Sequence, residues 1–357
     1  MDFSEPDLIS HPLSGQGTKM EVECAELLYR SNTVPGSMRR ETWKVTDYDV
    51  LEYLSVNPVR TVCHAMCKAS GEGVCLKLYN RRQLSQVSCR SLISRDQVLR
   101  EIRNHGKVNG HPNIVALWAA FEDRNVIVLV MEMCALGSLA RQLQGGRGVD
   151  LAAGQLIMWS LLSAVSHIHD LGLCHCDIKL ENILLTEDSV PKLADFGLSL
   201  DIHSDEAGLA TGSLNYCSPE LVGPLLESQR SDHRSPRFSP SERRAGDVWS
   251  SGILAFELLT GRSPFMESQD DITECMKSIV SGVHASVVKM LPPDSAKFVQ
   301  QALTVDKSLR PSSKELLSHP WLSGMPPMHK RNPLSWRWMG FSSAYSAIRS
   351  FSCTSVQ

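Results

Sequence analysis

The chain has 357 residues, 42% of them apolar, which excludes disorder throughout and suffices for one large domain or two modest ones. Thirty-six basic residues nearly balance thirty-nine acidic ones, so a net charge of -3 gives no general argument for nucleic acid or an anionic membrane as partner. Eleven cysteines, an odd number scattered from Cys24 to Cys353, lack the regular framework of a small disulfide scaffold and read as reduced thiols.

The first ten residues, MDFSEPDLIS, are acidic and lack an apolar core. The apolar run VIVLVM at 126–131 is far too short to cross a bilayer. Asp2 stands where myristoylation wants glycine, and Cys353 lies five residues from the end rather than four. No membrane span or lipid anchor is expected, and the protein reads as intracellular, cytoplasmic with the nucleus left open.

Residues 1–46 mix Ser, Gly and Pro and are expected to form a flexible extension, with AELLYR supplying at most a helical turn or two. From Asp47 the pattern changes. YDVLEYL, RTVCHAM, VCLKLY, IVALWAAFED and VIVLVMEM alternate or are rich in β-branched and aromatic residues, which predicts five strands, while DQVLREIRNHGKV has helical composition. Residues 47–132 therefore read as a small sheet with one helix. Over 133–322 the period becomes helical: Ile157, Leu161, Val165 and Ile168 share one face of a helix ending at Gly172. Two short strands, NILLT and KLADF, interrupt it, and DVWSSGILAFELLTG follows as an apolar helix with Gly261 beyond its end. Residues 227–244, ESQRSDHRSPRFSPSERR, read as an inserted solvated loop, and residues 323–357 form a tail without Asp or Glu. The fold class is α+β.

The decisive pair of segments is HCDIKLENILL at 175–185 and ADFGLSL at 194–200, which sets Asp177, Lys179, Asn182 and Asp195 on loops around two short strands. Taken singly, each has a plain reading: Lys77 a surface lysine with Glu101 its helix-face partner, Asp177 a turn residue, Asn182 a loop cap. In this order, with Lys77 on an upstream strand and SPE then DVWSSG downstream, the chain resembles the eukaryotic protein kinase family, Ser/Thr type, over roughly residues 47–322.

The resemblance implies a bilobal fold, a small β-sheet N-lobe with one helix (47–132) and a larger, mainly α C-lobe (133–322). It implies transfer of the γ-phosphate of ATP, with Mg²⁺, to Ser or Thr of a protein substrate. Phosphoryl transfer moves negative charge through a loose transition state, so catalysis needs mainly placed cations and a positioned base. By resemblance, Lys77 clamps phosphates and pairs with Glu101, Asn182 and Asp195 hold the metal, and Asp177 accepts the substrate proton. Lys179 neutralises the transferred group, and Ser213 bonds the Asp177–Lys179 couple. Leu54, Val62, Cys75 and Leu184 line the adenine site, Met131 guards its back, and Glu132, Met133 and Cys134 form the hinge. Glu181 and Glu257 match carboxylates with which arginine-directed kinases bind basic substrates, and either serves equally well as a structural glutamate. Glu220 and Arg310 match a buried structural ion pair. The 227–244 segment, with Ser235-Pro236 and Ser239-Pro240, and the tail, with Trp336 and Trp338, are possible docking elements or plain solvated spacers.

Three departures from the family pattern stand out. In LSVNPVRTV, 54–62, Leu54 and Val62 match while all three glycines are replaced, and Pro58 removes a main-chain donor from a phosphate loop. Arg60 there is either a solvated arginine or a guanidinium aimed at the phosphates. Cys176 replaces the arginine before Asp177, and Leu209 stands at the usual phosphoacceptor position, so receptor and ligand are missing together; Ser204 and Thr211 remain as substitutes. Cys174 and Cys176 flank His175 and read as structural thiols rather than metal ligands. Finally, Asn104 and His105 take places expected to be apolar, which predicts looser packing of the Glu101 helix against Leu117 and Phe196. These departures leave a catalytically weak, pseudokinase-like scaffold as the alternative to an active enzyme.

Overall fold

In RTVCHAMC, Thr61, Cys63, Ala65 and Cys67 are buried and the residues between them are not, the period-two burial of a strand with one face inward. The computed structural model describes residues 25–84, 93–143, 146–205, 212–228, 238–265 and 272–323. The smaller lobe is a sheet of β1 (Glu26–Arg30), β2 (Tyr48–Val56), β3 (Arg60–Cys67), β4 (Gly73–Asn80), β5 (Leu117–Asp123) and β6 (Val126–Glu132). Its order is β1-β5-β6-β4-β3-β2, and every neighbouring pair is antiparallel. A one-turn helix α1 (Arg81–Leu84) precedes α2 (Arg95–Val108). Ser94 starts α2 with a capping box, its hydroxyl accepting the Gln97 N–H at 3.2 Å while the Gln97 side chain accepts the Ser94 N–H at 2.7 Å.

The extension expected to be flexible is part of this lobe from residue 25 onward. ELLYR forms β1 against β5, and Val34, Met38 and Trp43 are buried in the core on the outer face of the sheet, Trp43 beside Phe121 with ring centroids 6.5 Å apart. The unpaired edge of β5 overrides the weak helical signal of AELLYR, because pairing satisfies a row of main-chain groups that a short helix would leave in water.

The larger lobe is built on α4 (Leu151–Asp170) and α6 (Pro240–Thr260), with α3 (Leu139–Gln142), α5 (Pro219–Ser228), α7 (Ile272–Ser281), α8 (Ala285–Val288), α9 (Pro293–Ala302) and α10 (Ser313–Leu317) around them. The helix α4 is long and apolar enough to cross a bilayer by length and composition, but 61% of its apolar window is buried and it packs as a core helix here. A Cβ on Gly252 of α6 would lie 2.7 Å from Ala302 Cβ, so α6 and α9 approach closely only because that residue is glycine. Gly261 ends α6 in the left-handed conformation, φ 71°.

The segment expected as an inserted loop is shorter than its composition implies. Residues 227–228 belong to α5 and 240–244 to α6, whose N-cap is Ser239 with Pro240 in the first turn; Ser239-Pro240 is thus a helix start. Ser235-Pro236 and the tail beyond Ser323 lie outside the described residues. The larger lobe also holds β7 (Gly137–Ser138), β8 (Leu173–Cys174), β9 (Ile183–Leu185), β10 (Pro191–Leu193) and β11 (Leu200–Asp201), which pair as β10-β9-β7 and β11-β8, with Leu173, Leu185 and Leu193 in its core.

Candidate active site

Lys77 lies on β4 between Val62 of β3 and Leu129 of β6, which points it under the sheet toward α2. Its Nζ is 2.6 Å from Glu101 Oε1 and 2.9 Å from Asp195 Oδ1, and the Tyr79 hydroxyl donates to Glu101 Oε2 at 2.6 Å. Burial disfavours the Lys77 ammonium, yet Asp195 and Glu101 together hold its pKa well above the ordinary lysine value. Burial likewise opposes the Asp195 carboxylate, but Lys77, Arg60 and the Gly197 N–H at 3.2 Å outweigh it and lower its pKa. The N-lobe therefore supplies the Lys77–Glu101 pair, and Asp195 of the C-lobe meets it in the cleft.

The C-lobe delivers the rest. Asp177 Oδ2 takes bonds from Lys179 Nζ and Asn182 Nδ2, each at 2.9 Å, and Oδ1 faces the Ser213 N–H at 3.4 Å. Lys179 also donates to Ser213 Oγ at 3.0 Å, so the four residues form one network. Gly212 permits this approach: a Cβ there would lie 2.7 Å from the Cys176 carbonyl oxygen. Cys176 and Asp195 both adopt positive φ, 65° and 62°. Asp247 of α6 holds the first of these turns, accepting the His175 and Cys176 N–H groups at 2.8 Å each.

Asn182 gives its amide nitrogen to Asp177, which leaves the amide oxygen as the atom it offers a cation; with the deprotonated Asp195 this is a hard oxygen donor pair of the type Mg²⁺ takes. The two are linked through the main chain, Ala194 N–H donating to Asn182 O at 2.8 Å. Around the expected base site, Met131, Cys134 and Ala194 share an apolar cluster with half-buried Cys75 and Leu184, while Leu54 is 43% exposed and Val62 half-buried. The Glu132 carboxylate is tied through Oε2 to Lys192 at 2.8 Å and the Ala116 N–H at 3.1 Å.

The polar pair on α2 does not loosen it. His105 stacks on Phe196, and its Nε2 donates to the Val115 carbonyl at 2.7 Å. Asn104 Nδ2 donates to the Ser199 carbonyl at 3.1 Å, and Arg103 and Lys107 pair with Asp205 and Asp201. Hydrogen bonds from Asn104 Nδ2 and His105 Nε2 and the His105–Phe196 stack take the place of apolar packing here, although Asn104 Oδ1 and His105 Nδ1 are buried without a partner, and Glu101 stays paired with Lys77.

Two residues go beyond or against the reading from sequence. Arg60 is not a solvated arginine: its guanidinium reaches to 3.4 Å from Asp195 Oδ2. Asn57, one of the residues in place of the glycines, also forms the turn: its Oδ1 accepts the N–H groups of Val59 and Arg60 at 3.0 and 2.7 Å, as the Asn-Pro turn signal implies. The thiols of Cys174 and Cys176 are pushed up by burial first and Asp247 second, which keeps both protonated. Glu181 is exposed, whereas Glu257 accepts a hydrogen bond from Tyr216. Arg310 grips Glu220 with two guanidinium nitrogens at 2.7 and 2.9 Å; breaking such a buried pair costs about 3–5 kcal/mol. Ser204 is exposed on the surface, and Leu209 and Thr211 lie outside the described residues.

The family sequence pattern described as Protein kinase domain matches residues 59–322, from just past Pro58 to beyond α10. This chain belongs to the protein kinase family. Among similar proteins are serine/threonine-protein kinase PEPKR2 of Arabidopsis thaliana, 32% identical over 68% of this chain and 49% of that protein, and calcium-dependent protein kinase 21 of the same plant, 32% identical over 72% and 46%. Serine/threonine-protein kinase RAD53 of Saccharomyces cerevisiae is 29% identical over 83% of this chain and 35% of its own. The chain thus spans between a third and a half of the length of these kinases. Its relatives place the domain among the Ser/Thr kinases.

Proposed function

We propose that this kinase domain is catalytically active and transfers the γ-phosphate of ATP to Ser or Thr hydroxyls of protein substrates. The observation that carries the reading is the closed chain of charges Glu101–Lys77–Asp195, 2.6 and 2.9 Å, standing above an Asp177 already bonded to Lys179 and Asn182. In this reading Asp177 accepts the proton of the attacking hydroxyl as its oxygen bonds to the γ-phosphorus and the bond from that phosphorus to the bridging oxygen breaks, leaving ADP. Lys179 offsets charge on the transferred group, and Lys77 orients the remaining phosphates. A divalent cation at Asn182 and Asp195 would supply further positive charge at the polyphosphate. Burial of Lys77 in a charged triad is costly without a ligand to justify it, which favours the enzyme over an inert scaffold.

Exposed Glu181 supports a preference for basic residues near the target hydroxyl; Glu257, bonded to Tyr216, supports it less. The test is label transfer from Mg·ATP to Ser/Thr peptides with and without arginine, using the protein and Glu181→Gln. Faster transfer to arginine peptides, reduced by the substitution, is expected; equal rates would remove the arginine preference, and no transfer to any peptide would remove the enzyme reading.

A specific observation favours a second reading, a binding protein with weak catalysis. The turn Asn57–Arg60 closes on itself and presents no glycine-rich cradle to a phosphate.

A further inference from the structure

The same turn carries an inference that rests on the nucleotide-site reading and goes beyond it. Phosphate loops work through main-chain N–H groups turned toward the ligand. Here Asn57 Oδ1 takes the Val59 and Arg60 N–H groups at 3.0 and 2.7 Å, the Asn57 N–H goes to the Arg60 carbonyl at 2.9 Å, and Pro58 has none. From Asn57 to Arg60 no main-chain donor is left for a phosphate.

The side chain of Arg60 goes the other way, into the cleft. One of its terminal nitrogens is 3.4 Å from Asp195 Oδ2, while Lys77 is 2.9 Å from Oδ1 of the same carboxylate. Arg60 and Lys77 thus balance Glu101 and Asp195 with no further cation. The Arg60 contact is long, and its side chain is 29% exposed, so the guanidinium leaves Asp195 at little cost and Asp195 keeps Lys77 and the Gly197 N–H. A planar guanidinium fork matches phosphate oxygens two at a time.

We propose that Arg60 is the phosphate-binding group of this loop: its guanidinium takes nucleotide phosphate oxygens that the closed turn cannot reach, and lets a nucleoside triphosphate bind with little dependence on a divalent cation. The resident positive charge does part of the neutralising that a metal does elsewhere. Arg60 is therefore a binding residue, one that the chemistry of the turn makes necessary.

The test is calorimetric titration of the full chain with adenosine, ADP and ATP, in EDTA and in Mg²⁺, for the protein, Arg60→Lys and Arg60→Ala, each checked for an unchanged melting temperature. The protein is expected to bind ATP in EDTA within about tenfold of its affinity in Mg²⁺. Arg60→Ala should weaken ATP and ADP about ten- to a hundredfold in EDTA, less in Mg²⁺, and leave adenosine unchanged, with Arg60→Lys between the two. Equal or tighter ATP binding by Arg60→Ala in EDTA, or binding by the protein only with Mg²⁺, would overturn the proposal while adenosine binding still upheld the nucleotide site. Absence of binding by all three ligands in both conditions would bring down the site and the proposal together.

Discussion

The imidazole of His105 lies stacked on the ring of Phe196, centroids 4.7 Å apart, and His175 makes a T-shaped contact with the same ring, centroids 5.1 Å apart. The column continues to Asp247, which accepts the His175 main-chain N–H. A histidine at this place joins α2 to the catalytic loop through aromatic packing and one hydrogen bond to Val115.

Burial lowers the His105 pKa to about 4, with the Val115 bond opposing it, so the ring is neutral at pH 7. Between that value and the ordinary 6.5 the unfolded chain binds a proton that the folded one does not. Stability is therefore fully present above pH 6.5 and falls as pH drops toward 4, by about 1.4 kcal/mol per pH unit for one proton. His111, also lowered to about 4 by burial and by His167, adds a drop of the same sign. In chemical denaturation across this range, His105→Leu should show a slope shallower by about one proton, and at pH 8 a loss of about 1–3 kcal/mol from the unpaired Val115 carbonyl. Equal slopes would show that His105 does not titrate on unfolding.

Gly106 of α2 sits against Tyr29 of β1, where a Cβ would come within 2.6 Å of the tyrosine ring. In a free helix alanine is about 1 kcal/mol better than glycine. Gly106→Ala should nevertheless destabilise the protein by about 1–3 kcal/mol, and should turn stabilising once Tyr29→Ala clears the space. Additive effects in the four-protein denaturation cycle would mean that β1 does not press on α2.

Asn104, Lys107 and Arg103 tie α2 through side chains alone to Ser199, Asp201 and Asp205, at the start of the segment that holds Leu209 and Thr211. Treatment with phosphatase should leave the transfer rate unchanged, whereas Asn104→Ala should slow it about tenfold by loosening Glu101. Loss of activity on phosphatase treatment, traced to this segment, would contradict both.

Returning glycine to the turn should restore donors to the phosphates. In the double variant Asn57→Gly, Pro58→Gly, the KM for ATP should fall about tenfold, the worth of one charge-assisted hydrogen bond. An unchanged KM would mean that the main chain at 57–60 does not face the nucleotide.

The sheet and the major helices are legible in the sequence because their signals are local: alternation in RTVCHAMC, the helical composition of DQVLREIRNHGKV, a glycine stop at Gly261. So are Lys77, Asp177, Lys179, Asn182 and Asp195, whose order and spacing identify them together. What escapes is decided between distant segments. Tyr29 becomes a strand residue because β5 has a free edge, and the fate of Asn104 depends on Ser199, 95 residues away. Arg60 turns inward because Asp195 lies within reach, which decides between the two readings that LSVNPVRTV leaves open. Asn57 is the exception: Asn before Pro is a local turn signal, and its side chain takes two N–H groups of that turn.

The most direct measurement is the rate of phosphate transfer from Mg·ATP to a Ser/Thr peptide by the protein and by Asp177→Asn, at matched melting temperature and with nucleotide affinity measured on both. Turnover by the protein, and a kcat lower by about 10²- to 10⁴-fold in the variant at unchanged ATP affinity, is the expected result. Equal rates from the two, or no transfer from either while both bind ATP, would contradict an active kinase built on Asp177.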